Sequence, residues 1–315
     1  MYDCAMTAGK AAVNIFSDID LFPFLQKMEK SCFLPELLIT KSIVNTNYCL
    51  KYRNDEEREV RFANQSIEVL FPWELMKNGE TLLYLAYSLC EIQNQERGII
   101  TSHCAAFSDG NYSHLVFGEK GAGKTSVILD LCSNFGYKLI GNDLCLIGDN
   151  NNRLSVIGGT KFFFLRKESV SRNLPELGGL FSNKNVDPWL NKILVEPERV
   201  CVKKEIDILP LAKVFLVHVD ETKSEDGFYT QNRKDLNTKL YLNENFSRYI
   251  RNTTSAILGG EDYEFLYYLP SFDTSRYFEK RKRIIDLLIN NIGICYVSGN
   301  LKQVTAFIKE SIISL

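Results

Sequence analysis

The chain has 315 residues, 45% hydrophobic and 24% charged, with 37 basic residues against 39 acidic ones and a formal charge of −2. That is an ordinary globular balance with room for one large or two modest domains, and no whole-protein field favours nucleic acid. A basic start followed by an apolar stretch is missing, as is any apolar run of about twenty residues, so a cytoplasmic protein without a membrane span is expected.

Residues 1–95 read as a separate leading region of mixed strands and helix. Phe22-Pro23-Phe24-Leu25 and the run 43–52 suggest short strands, and 54–59 forms a charged hairpin tip. Residues 60–63 and 66–71 alternate apolar with polar, as a half-exposed sheet does. Residues 81–94 carry Leu82, Leu83, Leu85, Ala86, Leu89 and Cys90 at helical spacing. Nine cysteines are scattered along the chain without a C-x-x-C pair, several inside apolar runs, which points to buried reduced thiols rather than disulfides or a zinc site.

From residue 96 onward strands alternate with helices, the pattern of an α/β core. Ile99 to Phe107 is strand-like, Asp109-Gly110-Asn111 supplies a turn, and Ser113 to Phe117 is a short apolar strand. Next comes Gly118-Glu119-Lys120-Gly121-Ala122-Gly123-Lys124-Thr125, a full G-x-x-x-x-G-K-[ST] phosphate loop, continued by Ser126 into a helix that Gly136 stops. Glycines let consecutive backbone N–H groups turn inward around a phosphate, whatever side chains Glu119 and Lys120 carry. The Lys124 charge then falls between the β- and γ-phosphates of ATP, and the Thr125 hydroxyl is a ligand for Mg²⁺. Residues 137–140 and 144–147 follow as strands around Asn142-Asp143. Later, 213–219 and 293–297 read as strands and 277–291 and 301–312 as helices, while 171–204 fits no regular pattern and suits a substrate-facing excursion.

Transfer of phosphate needs a group to position the incoming nucleophile. Asp143 is the candidate: a helix of about twelve residues returned by a strand brings that strand's end beside the loop. There its carboxylate could accept a hydroxyl proton, hold Mg²⁺, or do both; Asn142-Asp143 could equally form a plain turn.

The stretch His103-Cys104-Ala105-Ala106, turn, strand, Gly118 to Thr125, helix, Gly136-Tyr137-Lys138-Leu139-Ile140-Gly141-Asn142-Asp143 resembles the catalytic domain of HPr serine kinase and its relatives. The similarity continues weakly to the C-terminal helix. It implies a P-loop HPr-kinase-like (PEP carboxykinase-like) core over 96–315, preceded by a small mixed α+β domain that would suit recruitment of a peptide. By the same resemblance Lys124 neutralises phosphate charge, Thr125 ligates Mg²⁺, and Asp143 matches the second of an acidic pair serving as base and metal partner. His103 matches a histidine lying near the phosphates. Asn142 replaces the first acid, and the Arg-Gly signature of true HPr kinase/phosphorylases is missing, so neither the reverse reaction nor HPr itself is implied. Some such relatives accompany modified-peptide gene clusters and phosphorylate a serine of the precursor peptide.

The expectation is a Mg²⁺-ATP-dependent kinase of a hydroxyl, a serine on a peptide or protein, with no membrane or nucleic-acid partner and with a homo-oligomer left open. A kinase of a small hydroxyl metabolite shares every residue named. An ATP-hydrolysing switch would instead use Asp220 and Glu221, which end an apolar strand in the manner of a Walker B motif; as a core strand with a charged turn they need no such role. His114 and His218 read as ordinary strand histidines, and Lys280 to Arg283 as a solvated basic shoulder. Arg166 and Lys161 could clamp phosphate oxygens or form surface ion pairs.

Overall fold

The computed structural model describes residues 1–29, 32–63, 65–76, 80–181, 191–222, 227–252, 256–259 and 264–313. Strands β1 (Tyr2–Ala8) and β2 (Ala11–Ser17) form an antiparallel hairpin in which Ala8 lies opposite Ala11. Helix α1 (Phe22–Glu29) follows. The strand expected at Phe22 to Leu25 is therefore helical: Pro23 falls in the first turn, where its missing N–H costs nothing, and Leu25 N–H donates to the Leu21 carbonyl at 3.0 Å. Strands β3 (Leu37–Thr40), β4 (Cys49–Arg53), β5 (Glu59–Ala63) and β6 (Ser66–Leu70) complete a six-stranded sheet of order β3-β1-β2-β4-β6-β5. Helix α2 (Glu80–Glu96) buries its expected stripe of Leu82, Leu83, Leu85, Ala86, Leu89 and Cys90 in one apolar core with Val13, Ile15, Leu50 and Ile67 from this sheet.

Two compact units divide the chain: Met1–Thr101 with Glu244–Arg281, and Ser102–Asn243 with Lys282–Leu315. Residues 244–281, which the sequence pattern leaves in the second domain, belong to the first unit. Ile250 and Tyr277 join its apolar core, and Arg281 bonds Gln95 and Asp273.

Strand β7 (Ile99–Ser102) follows α2 in the chain. The continuous strand expected over 99–107 is interrupted, because Cys104 N–H turns back to the Ser102 carbonyl at 3.0 Å. Strand β8 (Ala105–Ser108) then pairs antiparallel with β9 (Ser113–Phe117), and the phosphate loop leads from β9 into α3 (Lys124–Asn134). There follow β10 (Lys138–Gly141), β11 (Cys145–Asn150), β12 (Arg153–Gly159), β13 (Phe163–Arg166), α4 (Lys167–Asn173), β14 (Lys192–Val195), β15 (Lys203–Lys204), β16 (Leu209–Val219) and β17 (Tyr229–Arg233). Helix α5 (Leu236–Ser247), the hairpin β18 (Ala256–Gly259) and β19 (Glu264–Tyr268), α6 (Ser275–Leu287), β20 (Ile294–Gly299) and α7 (Leu301–Ile313) complete the order. Of the excursion expected over 171–204, residues 182–190 lie outside the described residues.

Strands β9, β16 and β20 run parallel, with β8 antiparallel on one side and β17 on the other. They read as near-continuous apolar runs because helices α3 and α7 bury against them: Val127, Ile128, Leu131, Val304 and Ile308 share one core with Val116, Phe215, Val217 and Val297. The basic run on α6 is a solvated shoulder only in part, since Lys282 and Arg283 are exposed while Arg281 and Lys280 are held by the fold. Arg281 is fully buried in a two-bond pair with Asp273, Lys280 donates to the Gln95 and Glu96 carbonyls, and Arg283 pairs with Asp149 at 2.8 Å. All nine cysteines are free, with Cys201 exposed. Among the described residues, no helix is long and apolar enough to cross a membrane.

Candidate functional site

The loop from Gly118 to Thr125 joins β9 to α3. Gly121 and Gly123 both hold left-handed backbone angles, φ +87° and +88°, at alternate positions. A Cβ on Gly123 would also lie 2.6 Å from the Val219 Cβ, so this position admits glycine alone. Gly123 caps α3 without any side-chain hydrogen bond, which leaves the first N–H groups of the helix for an external acceptor. The Ala122 carbonyl accepts from Val219 N–H at 3.0 Å, pinning the loop to the end of β16. Lys124 is buried, and its ammonium donates to the Gly118 and Glu119 carbonyls at 2.7 and 3.2 Å. Glu119, Lys120 and Gly121 are exposed, as variable loop positions should be. Ser126 is buried and its hydroxyl accepts from Asn173 Nδ2 of α4 at 3.0 Å, so it anchors α4 to the loop helix.

Asn142 and Asp143 follow β10 in a turn held from several sides. Gly141 and Gly159 approach so closely that a Cβ on either would stand 2.7 Å from the other's Cα. Asn142 N–H donates to the Thr160 carbonyl and Thr160 N–H to the Leu144 carbonyl, while Leu144 N–H returns to the Asn142 carbonyl at 3.1 Å. Asp143 is thus the middle of a three-residue turn, with φ +79°. That is the rare, strained form of the γ-turn. Strain of this kind in a non-glycine residue persists only where the surroundings enforce it, and it concentrates at functional sites.

His103 is the middle of the other three-residue turn, closed by Cys104 N–H to Ser102. Its Nε2 lies 2.8 Å from Asp143 Oδ1, and the two side chains remain 23% and 34% exposed, open enough for a substrate to reach. Cys145 Sγ donates to the Cys104 carbonyl at 3.4 Å and ties the two turns together. Burial pushes the Cys145 thiol well above its ordinary range, so it stays protonated there.

Asn142 links the turn to the phosphate loop. Thr125 Oγ1 donates to Asn142 Oδ1 at 3.2 Å, and Asn142 Nδ2 donates to the Phe162 carbonyl at 3.4 Å. An amide can accept on one side and donate on the other; a carboxylate can only accept. This position therefore suits asparagine in place of the acid expected from the resemblance. With its proton given to Asn142, the Thr125 oxygen keeps lone pairs for a cation.

The remaining candidates make contacts of their own. Lys161 Nζ donates to the Ile140 and Glu205 carbonyls at 2.7 and 3.2 Å and braces β10. Asp220 Oδ1 accepts from the Thr222 N–H and hydroxyl, and Glu221 Oε1 accepts from Leu301 N–H at 2.8 Å, at the start of α7. His114 is fully buried against Asp109 at 3.1 Å, and His218 is exposed. Among the described residues, no group of three or more His, Cys, Asp or Glu could hold a metal. Motif spacing gave no sign of Asn142's two-way bonding or of the His103–Asp143 bond, which joins residues 40 apart. The doublet Asn-Asp after a glycine, at the end of a strand, was the only local signal. Compared with protein-family models and with curated protein sequences, the chain matches none.

Proposed function

We propose that the protein is a Mg²⁺-ATP-dependent kinase with an HPr-kinase-like core, transferring the γ-phosphoryl group to a hydroxyl, in particular a serine of a peptide or protein. The observation that carries this reading is the chain of contacts from Thr125 through Asn142 to Asp143 and His103, which places a part-exposed carboxylate in the same turn that grips the phosphate loop.

The residues fit a nucleotide. The loop combines left-handed glycines, a helix start without a side-chain cap and a lysine whose ammonium donates to the Gly118 and Glu119 carbonyls of the loop. They also fit Mg²⁺, which keeps most of its water and takes one or two protein oxygens besides phosphate oxygens, so no three-residue cluster is needed. Thr125 would hold it, with Asp143 as the nearby carboxylate. When bound, Mg²⁺-ATP supplies the phosphoryl group and compensates charge on the bridging oxygens.

The chain's own residues do the rest. Lys124 binds the phosphates, and the loop N–H groups orient them. Asp143 Oδ2 accepts the proton of the attacking hydroxyl while His103 Nε2 holds Oδ1, fixing the carboxylate's direction. Little covalent work falls to the protein in such a reaction; position and charge carry the rate.

Labelled ATP incubated with peptide pools and with metabolite pools tests this directly. Label in a peptide serine is the expected result, and label only in a small metabolite would move the acceptor to the rival class. Lys124→Ala should abolish transfer and weaken Mg²⁺-ATP binding by roughly a hundredfold, as loss of a charge-assisted contact implies. Unchanged binding by calorimetry would remove the nucleotide site.

A further inference from the structure

We infer that the first unit carries a docking surface for a cationic peptide segment, built from the Phe24–Trp73 ring pair and the carboxylates that rim it. Its use, to hold an acceptor peptide for phosphorylation, rests on the kinase reading; the docking itself does not.

Strands β2, β4 and β6 run parallel, with Ser17 opposite Tyr52 and Arg53 opposite Leu70, so their carboxyl ends share one edge of the sheet. Loops leaving such an edge are where parallel strands commonly present their ligand-binding side chains. Asn54 draws the three loops together. Its N–H is shared between both Asp18 carboxylate oxygens at 3.0 Å, and its Oδ1 accepts from Trp73 N–H at 2.7 Å. Trp73 meets Phe24 of α1 edge to face, with ring centroids 4.8 Å apart, and meets Tyr52 of β4 at 5.9 Å. Tyr52 is buried and its hydroxyl donates to the Phe71 carbonyl, which fixes the ring that Trp73 leans on. Phe24, by contrast, is 44% exposed. An exposed ring held by a second ring offers a π face that a cation can cover.

The rim is acidic. Asp18, Asp20, Asp55, Glu56 and Glu74 stand exposed at this edge, and among the described residues none of them has a cationic partner. Arg53 is committed to Glu68 at 3.2 Å, which leaves Arg58 on the loops and Lys27 on α1 against those carboxylates. Two of the acids are felt at the rings: burial pushes the Tyr52 hydroxyl well above its ordinary range, and the charges of Asp18 and Glu74 push it further. Rings and carboxylates together select a guanidinium or ammonium group, which the carboxylates attract and the ring face covers. An anionic segment would meet like charge here, and a purely apolar one would strip water from the carboxylates without compensation. A peptide held on the first unit stays at high local concentration for a site on the same chain.

The test is calorimetric, on the full chain without nucleotide and at low ionic strength, where exposed charges are least screened. The titrants are a short serine-containing peptide with a pair of arginines, its counterpart with glutamines in their place, and a third with glutamates. The arginine peptide should bind more tightly than either counterpart. Joint Glu56→Gln and Glu74→Gln replacement should weaken it about fivefold, and Phe24→Leu about threefold through the lost ring face. Joint Glu56→Lys and Glu74→Lys replacement should turn the preference toward the glutamate peptide, a gain that misfolding cannot produce. Unchanged binding of the arginine peptide in all of these variants, or equal binding of the glutamine peptide, overturns the surface and leaves the kinase reading standing. With Mg²⁺-ATP added, Phe24→Leu should raise KM for the arginine peptide about threefold at constant kcat; an unchanged KM would remove the role in recruitment. Should the chain transfer no phosphate to any acceptor yet still prefer the arginine peptide, the kinase reading falls and the surface stands.

Discussion

His103 Nε2 and Asp143 Oδ1 lie 2.8 Å apart, and each residue is the centre of its own three-residue turn. One turn holds an ordinary backbone; the other holds Asp143 at φ +79°. The carboxylate is aimed by two backbone reversals and a histidine rather than by a helix or strand.

Replacing Asp143 separates its chemistry from its strain. Asp143→Asn should lower transfer by roughly 10²–10⁴-fold, the range for a general base, with Mg²⁺-ATP binding largely intact. Asp143→Gly and Asp143→Ala should both be inactive, yet the glycine variant should be more stable by about 1–2 kcal/mol, because only alanine keeps the left-handed penalty. Urea unfolding of the pair measures this; equal stabilities would show the turn to be unstrained.

Asn142→Asp restores the acidic pair of the family that the loop region resembles, and it should be harmful. Its second oxygen would face the Phe162 carbonyl in place of an N–H, setting two part-buried acceptors against each other at a cost of about 1–3 kcal/mol. Thermal unfolding should show the loss in the absence of Mg²⁺. A variant as stable as the parent would contradict the bifunctional role.

Glu221→Gln discriminates kinase from ATP-hydrolysing switch. Glu221 bonds the first N–H of α7, and Asn300 with Gln303 forms a reciprocal capping box over the same turn. The substitution should cost less than about 1 kcal/mol and leave phosphoryl transfer in place. Loss of an acceptor-independent ATPase with this variant would instead favour the switch.

The first unit carries a pH dependence of its own. Glu91 is fully buried, accepting from Gln95 Nε2 at 2.7 Å and from the Thr101 hydroxyl and N–H, with Tyr87 bonded in turn to Thr101. Burial outweighs these bonds and the charge of Arg281, and lifts the carboxyl from 4.5 to about 7. The folded value exceeds the unfolded one, so the native state holds the proton more tightly. This stabilisation is complete below about pH 4.5 and is lost as pH rises through about 7, a swing on the order of 3 kcal/mol. Unfolding of parent and Glu91→Gln at about pH 5 and about pH 8 checks the sign: the parent should lose stability relative to the variant at the higher pH.

The strand, loop and helix around Lys124 were legible because the motif fixes glycine positions and the apolar spacing on either side fixes strand and helix. The helix 81–94 was legible for the same reason. Phe22 to Leu25 was not, since an apolar tetrapeptide with a proline fits a strand end as well as a first helical turn. The break at His103-Cys104 left no mark in an otherwise apolar run, because it is enforced by one backbone hydrogen bond. The burial of Arg281 was equally hidden, as a charge among charges reads as surface until its partner Asp273 is placed beside it in space. At the site, residue types were readable, whereas the direction of each bond depended on tertiary contacts between residues far apart in sequence.

Residues 244–281 build onto the same compact body as the N-terminal sheet. The polypeptide accordingly enters and leaves the body bearing the phosphate loop more than once, and no single cut can separate the two. A fragment started at residue 96 would keep Ile250 and Tyr277 but lack the sheet that shelters them, and greasy surface of that sort invites aggregation. Anyone seeking the second unit alone must excise 244–281 as well and bridge the gap with a short linker.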